Sequence, residues 1–413
     1  THIDQLPEMT MRAFKEATTP PTAPVFLSLA ANVFDEYTDA PVIKLPFISK
    51  STKPSIDSIE LLSNKIINSD NPLILLGDRV SHSKSHQEII EFAEKTGSWV
   101  YSATTSEINF PLDHPQYLGT FPNLLSKAQD KIKNHDLVIS IGTNVFDGFF
   151  YMRGQLFNND TFHAHIDSSA STIGRNEKTD LGIISDPKSA LIDLNLELNK
   201  KMDGEIKEKI SLRKKEIQIQ TVAIKKEEKN TINENYNQNP MSAHRMFSEI
   251  FKSISNYIVI DDSVSSRQAL LTANKFKPGE MHGERGGAIG WGMGATMGVK
   301  LANPDKNVIG IIGDGSAMMT VQALWTAANS NIPVIYIICN NQSYRVLKTN
   351  MQIYKSEILQ ESIQNDKYFA MDFNPPFNFA EIAKTFGLDG YKITNPDEIK
   401  KYLSLAVKSN KTT

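Results

Sequence analysis

Between Val308 and Asn341 the chain runs an apolar stretch (VIGII), a Gly313-Asp314-Gly315-Ser316 punctuation, an amphipathic stretch, Pro333 and a second apolar stretch (VIYIIC) that stops at Asn340-Asn341. Short apolar runs bounded by turn residues read as buried strands. Met319, Ala323, Leu324 and Ala327 recur at the three- and four-residue spacing of a helix opened by Ser316. Strand, crossover helix and strand of this length form a right-handed unit, so the two strands are parallel and both carboxyl ends emerge on one edge. The predicted fold class is therefore α/β, with doubly wound parallel sheets. Open sheets of this kind bind their ligands at that edge.

Asp314 and Asn341 are 27 positions apart in sequence, yet this geometry makes them neighbours. A carboxylate, an amide oxygen and a loop carbonyl such as that of Ser343 form half of an octahedral, all-oxygen site suited to Mg²⁺. Such an ion completes its shell with phosphate oxygens and water. Gly315 and the helix start at Ser316 supply exposed amides and a positive dipole end for a phosphate. The segment thus predicts a diphosphate-plus-magnesium site. Glycine supports this, because 11 of the 22 glycines fall between Gly279 and Gly315, where the backbone must approach something closely. A Walker loop is excluded by the lack of GxxxxGK[ST], and no GxGxxG follows this strand.

The rest of the chain is organised around that unit. At roughly 150 residues per domain, 413 residues hold two to three domains. From Ser58 to about Leu198, PLILLG, WVYSAT, DLVISIGTN and TFHAHID alternate with amphipathic stretches and predict a second parallel α/β domain, over 58–198. Residues 199–240 are a charged linker whose 199–230 stretch interleaves both signs at helical spacing and reads as a solvated helix. Residues 241–413 form the domain that carries the diphosphate site, 37–57 an extended proline-bearing linker, and 1–36 the last helix and strand of a further domain. The net charge of −3 (44 basic, 47 acidic residues) leaves no basic surplus for nucleic acid or anionic lipid. Cys339 is the single cysteine and cannot form an internal disulfide. The charge-free stretch from Gly315 to Tyr344 is split by NSNIP into pieces too short to cross a bilayer. The first residues carry no targeting pattern, so the cytoplasm is the default location.

GDGS followed by NN, flanked by ALWTAANSNIP and NNQSY, resembles the diphosphate-binding motif of thiamin-diphosphate enzymes, and within them the benzoylformate decarboxylase group, akin to acetolactate synthases. The resemblance implies thiamin diphosphate and Mg²⁺ as cofactors, with Asp314, Asn341 and the Ser343 carbonyl on the metal. It places Gly313, Gly315 and Ser316 at the diphosphate. The stretch GGAIGWGMGATMG (286–298) is similar to the family helix beneath the cofactor. By that match Ile289 props the cofactor in its bent shape and the Gly287 carbonyl accepts a hydrogen bond from the aminopyrimidine. Gly290, Gly292, Gly294 and Gly298 are also expected to serve close helix packing. SVSSR (263–267) resembles the second phosphate contact, at Val264 and Ser265, while Tyr344 and Val346 line the cofactor and substrate side. Asn350 stands where some relatives carry an aromatic residue.

FPLDHPQYLGTF, DLVISIGTNVF and GQLFNNDTFHAHID follow the order of the family's central domain, but Phe149 stands where benzoylformate decarboxylase has a catalytic histidine. His163 and His165 read as structural. In acetolactate synthases this domain holds FAD, and no stretch here is specific for it. PVFLSLAANVFD (24–35) looks like the last strand of the pyrimidine-binding domain, the rest of which, with its activating glutamate, has no counterpart. The carboxyl end stops before an expected terminal strand. The chain is thus read as an internal piece of a longer protein that is N-terminally truncated and assigns no catalytic residue of its own. What the resemblance implies is non-oxidative decarboxylation or carboligation of a small 2-oxo acid, in a homodimer or homotetramer. The alternatives are an acetolactate synthase-like carboligase, a catalytically silent cofactor-binding module, and an NAD- or FAD-dependent enzyme.

Overall fold

The computed structural model describes residues 2–146, 150–362 and 368–413, so Phe149 lies outside the described residues. In the first sheet, β1 (Pro72–Leu76), β2 (Trp99–Ser102), β3 (Tyr117–Thr120), β4 (Leu137–Ile141), β5 (Phe162–Asp167) and β6 (Leu181–Ile184) take the order β3-β2-β1-β4-β5-β6. Every neighbouring pair is parallel. β1 and β4 are buried at every position because helices cover both faces of the sheet. Ile74, Leu76, Ile139 and Ile141 face the helices Ile56–Asn68, His86–Thr96 and Pro187–Lys201, which contribute Leu62, Phe92 and Leu194. Leu73, Leu75 and Val138 point the opposite way, toward the helix Leu125–Ile132. This alternation is the two-residue period of a strand.

The helix His86–Thr96 ends on Gly97, whose φ of +58° closes the last turn. A Cβ there would lie 3.2 Å from Cγ2 of Ile210 on the 32-residue connecting helix Gly204–Asn235. Gly97→Ala is expected to cost about 1–2 kcal/mol, read as a lower urea midpoint with unchanged slope. The connecting helix buries only Ile210, Ile217 and Thr221, while its Arg213 donates to the carbonyls of Ser69 and Thr96.

The second sheet is also parallel: β7 (Tyr257–Asp262), β8 (Met281–Gly283), β9 (Asn307–Gly313) and β10 (Ile335–Cys339), in the order β10-β9-β7-β8. Beyond β10, Thr413 exchanges backbone hydrogen bonds with Val334 and Tyr336. Two expectations need correction. The helix expected from Ser316 starts at Asp314, with Gly313 as its cap, and breaks at Thr320 into Asp314–Met319 and Ala323–Asn329. The Thr320 hydroxyl donates to the Gly290 carbonyl (2.6 Å), which holds the break against the neighbouring helix. Near the amino end, Leu6–Thr18 is helical, but Pro24–Ala30 forms no strand and Ala31–Asp35 is a 3-10 turn. A strand needs a neighbour for its backbone groups, and neither sheet reaches this segment.

Candidate functional site

All four strands of the second sheet deliver their carboxyl ends to one edge. β7 leads into Ser263–Arg267, β8 into Glu284–Gly290, β9 into the helix Asp314–Met319 and β10 into Asn340–Tyr344. Strand order reverses between β7 and β9, which is where such sheets open a ligand crevice.

Asp314 sits in the middle of this edge and is 3% exposed. Its Oδ1 accepts the Gly315 N–H at 2.8 Å and its Oδ2 the Gln342 N–H at 2.6 Å. Burial pushes the Asp314 carboxyl above the usual range, although the amides of Gly315, Gln342, Ser343 and Asn341 favour its ionised form. The β9 and β10 ends are therefore tied through one carboxylate, which brings Asp314, Asn341 and Ser343 together. Gln342 turns with φ of +60°, and the Asn340 side chain accepts its N–H. Ser343 and Tyr344 are anchored on the Met371 carbonyl.

Among the described residues Asp314 makes no ion pair, and no three His, Cys, Asp or Glu side chains cluster as a metal site. A buried carboxylate without a counter-ion is unfavourable. A divalent cation shared between this carboxylate, the Asn341 amide oxygen and a carbonyl fits the environment. Gly315 is required by packing as well, since a Cβ there would lie 2.4 Å from Cε1 of Tyr344. That ring in turn meets Phe373 edge-on at 4.8 Å.

Val264 has φ of +51°, a conformation that a β-branched residue adopts only under constraint. Ser265 beside it is exposed. Gly286 and Gly287 both have φ of +77° and are exposed, and Ile289 is half-buried. Val346 and Asn350 are half-buried on the helix Arg345–Ile353. Of the four glycines expected to pack closely, two do so. A Cβ at Gly290 would meet Met319 and one at Gly292 would meet Asp262 and Ile312, each at 2.6 Å. Gly294 and Gly298 face open space, which corrects the expectation for them.

Sequence reasoning missed three features. Asp262, fully buried, accepts the N–H groups of Gly290 (3.0 Å) and Gly292 (3.1 Å), and so fixes the start of the helix Trp291–Ala302. The adjacent Asp261 pairs with Arg267 at 2.6 Å. Charged residues also join the two domains: Glu107 meets His282 (3.1 Å) and Arg285 (3.2 Å), while Arg285 reaches His82 (2.6 Å). The Asp-Asp pair ending a buried strand was the available signal for the first two. The third depends on contacts 175 to 203 residues apart in sequence.

The corresponding edge of the first sheet is partly filled by the chain itself, beside a small cavity lined by Ala103, Thr104, Phe121 and Asn144. Arg79 pairs with the buried Asp167 at 2.7 Å and donates to Asn144, and a Cβ at Gly77 would lie 2.4 Å from the Gly142 carbonyl oxygen. His163 and His165 are buried within β5. His163 bonds Ser140 (2.8 Å) and the Lys178 carbonyl (2.7 Å), and His165 the Thr143 carbonyl (2.9 Å). Burial pulls His163 down to about 4. The unfolded chain, with an ordinary histidine near 6.5, then binds a proton that the native state refuses. Stability present above pH 6.5 is lost as pH falls toward 4, by about 2–3 kcal/mol from this residue. Urea midpoints at pH 7 and pH 4.5 are expected to show that loss, and His163→Gln to reduce it.

A buried acid, a helix amino terminus and a glycine-rich turn meet at the switch-point crevice, an arrangement suited to a phosphorylated ligand. The chain belongs to the thiamine pyrophosphate enzyme family: the family's central domain matches residues 59–194 and its C-terminal TPP binding domain residues 266–413. It is 26% identical over 425 residues to the acetolactate synthase large subunit of Buchnera aphidicola subsp. Schlechtendalia chinensis, covering 98% of this chain and 69% of that protein. Against benzoylformate decarboxylase of Pseudomonas aeruginosa the identity is 22% over 419 residues, covering 98% and 72%. In fold it is similar to the crystal structure of benzoylformate decarboxylase from Polynucleobacter necessarius, with a TM-score of 0.81 at 20% identity over 100% of this chain and 73% of that one. No described helix is long and apolar enough to cross a membrane.

Proposed function

We propose that the protein uses thiamin diphosphate and Mg²⁺ to decarboxylate a small 2-oxo acid, releasing the product or joining it to an aldehyde or a second 2-oxo acid. The observation that carries this is the buried Asp314, which makes no ion pair among the described residues, at a helix amino terminus in the switch-point crevice. Asp314, the Asn341 amide oxygen and the Ser343 carbonyl would hold the metal. The amides of Gly315 and Ser316, with Val264 and Ser265, would hold the diphosphate, and Gly313 caps their helix. The Gly287 carbonyl would accept the pyrimidine amine, Ile289 would support the bent cofactor, and Tyr344 and Val346 would line the substrate side. The bound cofactor supplies the nucleophilic carbon and the electron sink needed for loss of CO₂. The same reading includes self-association into a dimer or tetramer, which sedimentation equilibrium tests.

The function is tested by supplying the full-length protein with thiamin diphosphate, Mg²⁺ and a panel of aliphatic and aromatic 2-oxo acids. CO₂ release from at least one of them, abolished by a chelator, is expected. Cofactor binding without CO₂ release from any would overturn the assignment.

A further inference from the structure

We propose that Glu284 is a positioning residue that orients the Gly286–Gly287 turn toward the pyrimidine end of the cofactor, an inference that rests on the function proposed above. Two consecutive glycines at φ of +77°, both exposed, have no side chain to hold their peptide planes. Glycine pairs are the most freely rotating backbone units, so a carbonyl that must meet a ligand from such a pair needs an external tether. Glu284 provides it, because its Oε2 accepts the Gly287 N–H at 2.8 Å. The peptide plane just ahead of the Gly287 carbonyl is thereby fixed.

Glu284 is itself held. Its Oε1 lies 3.5 Å from Nη1 of Arg267, and its backbone carbonyl accepts the Ser106 hydroxyl at 2.6 Å. Arg267 Nε donates to Asp261 Oδ2, whose Oδ1 accepts both the N–H (3.0 Å) and the hydroxyl (2.6 Å) of Ser263. One chain of hydrogen bonds and ion pairs therefore runs from Ser263, at the head of the Val264–Ser265 loop, through Asp261, Arg267 and Glu284 to Gly287. It links the loop expected at the diphosphate end to the turn expected at the pyrimidine end. Asp262 holds the rear of the same turn through Gly290. Consecutive acids at the end of β7 thus secure the turn at both ends, one of them through Glu284.

The consequence is specific to one end of the cofactor. In calorimetric titrations of the full-length protein with Mg²⁺, Glu284→Ala is expected to weaken thiamin diphosphate binding by about tenfold, the scale of one charge-assisted hydrogen bond. Affinity for inorganic diphosphate, which has no pyrimidine, is expected to stay within about twofold. Glu284→Gln, whose amide oxygen still accepts the Gly287 N–H, is expected to recover most of the loss, whereas Asp314→Ala weakens both ligands. Unchanged thiamin diphosphate affinity in Glu284→Ala, or an equal fall for both ligands, overturns the positioning role while leaving the functional reading intact. A wild-type protein that fails to bind thiamin diphosphate overturns both.

Discussion

Asp314→Ala is expected to weaken the binding of thiamin diphosphate in the presence of Mg²⁺ by at least about a hundredfold, since losing even a residue that supports a metal ligand costs ten- to a hundredfold. The effect has two sources. The carboxylate is the only negatively charged side chain proposed for the metal, and it also ties the β9 end to the β10 end by accepting the N–H groups of Gly315 and Gln342. Without it the Asn341–Ser343 turn loses its tie to β9 and keeps its bonds to Asn340 and Met371. Asp314→Asn separates the two contributions, because an amide oxygen still accepts one N–H while the charge is gone. Calorimetric titration is expected to rank the proteins wild type, Asn variant, Ala variant, with urea midpoints confirming that all three are folded. Equal affinity in wild type and Asp314→Ala would remove the basis of the site.

Asp261→Ala is expected to be among the most destabilising single changes near the site, by about 3 kcal/mol, because it leaves the largely buried Arg267 with only the looser ion pair to Glu284. Asp261 is fully buried and serves Arg267 and both donor groups of Ser263. Since the two residues act as one unit, Asp261→Ala with Arg267→Ala should cost clearly less than the sum of the single changes. Urea denaturation of the four proteins measures this cycle. An Asp261→Ala loss below about 1 kcal/mol, or strict additivity, would contradict the role given to the pair.

The parallel sheets and the meeting of Asp314 with the Asn341–Ser343 turn were legible in the sequence because both follow from short-range pattern. Apolar runs ending in Gly-Asp-Gly and Asn-Asn define two strands, and the length of the crossover makes them parallel. The break at Thr320 was not legible. The spacing of Met319, Ala323 and Leu324 continues the helical period through it, and only the hydrogen bond to Gly290 shows why the helix stops. Glycine identity alone could not distinguish Gly290 and Gly292, which touch Met319, Asp262 and Ile312, from Gly294 and Gly298 one and two turns on, which touch nothing. The pairing of Glu284 with Arg267 carries no local signature either, because it joins the loops that follow two different strands. Pro24–Ala30 has the apolar composition of a strand but lacks a neighbour, and a strand is defined by its partner as much as by its residues.

The most direct test of the site is anomalous diffraction from crystals of the full-length protein grown with thiamin diphosphate and Mn²⁺ in place of Mg²⁺. A metal peak is predicted beside the Asp314 carboxylate, about 2.0–2.2 Å from it, from the Asn341 side-chain oxygen and from the Ser343 carbonyl, with diphosphate density against the amides of Gly315 and Ser316. Cofactor density elsewhere, or bound cofactor with no metal at Asp314, would contradict it.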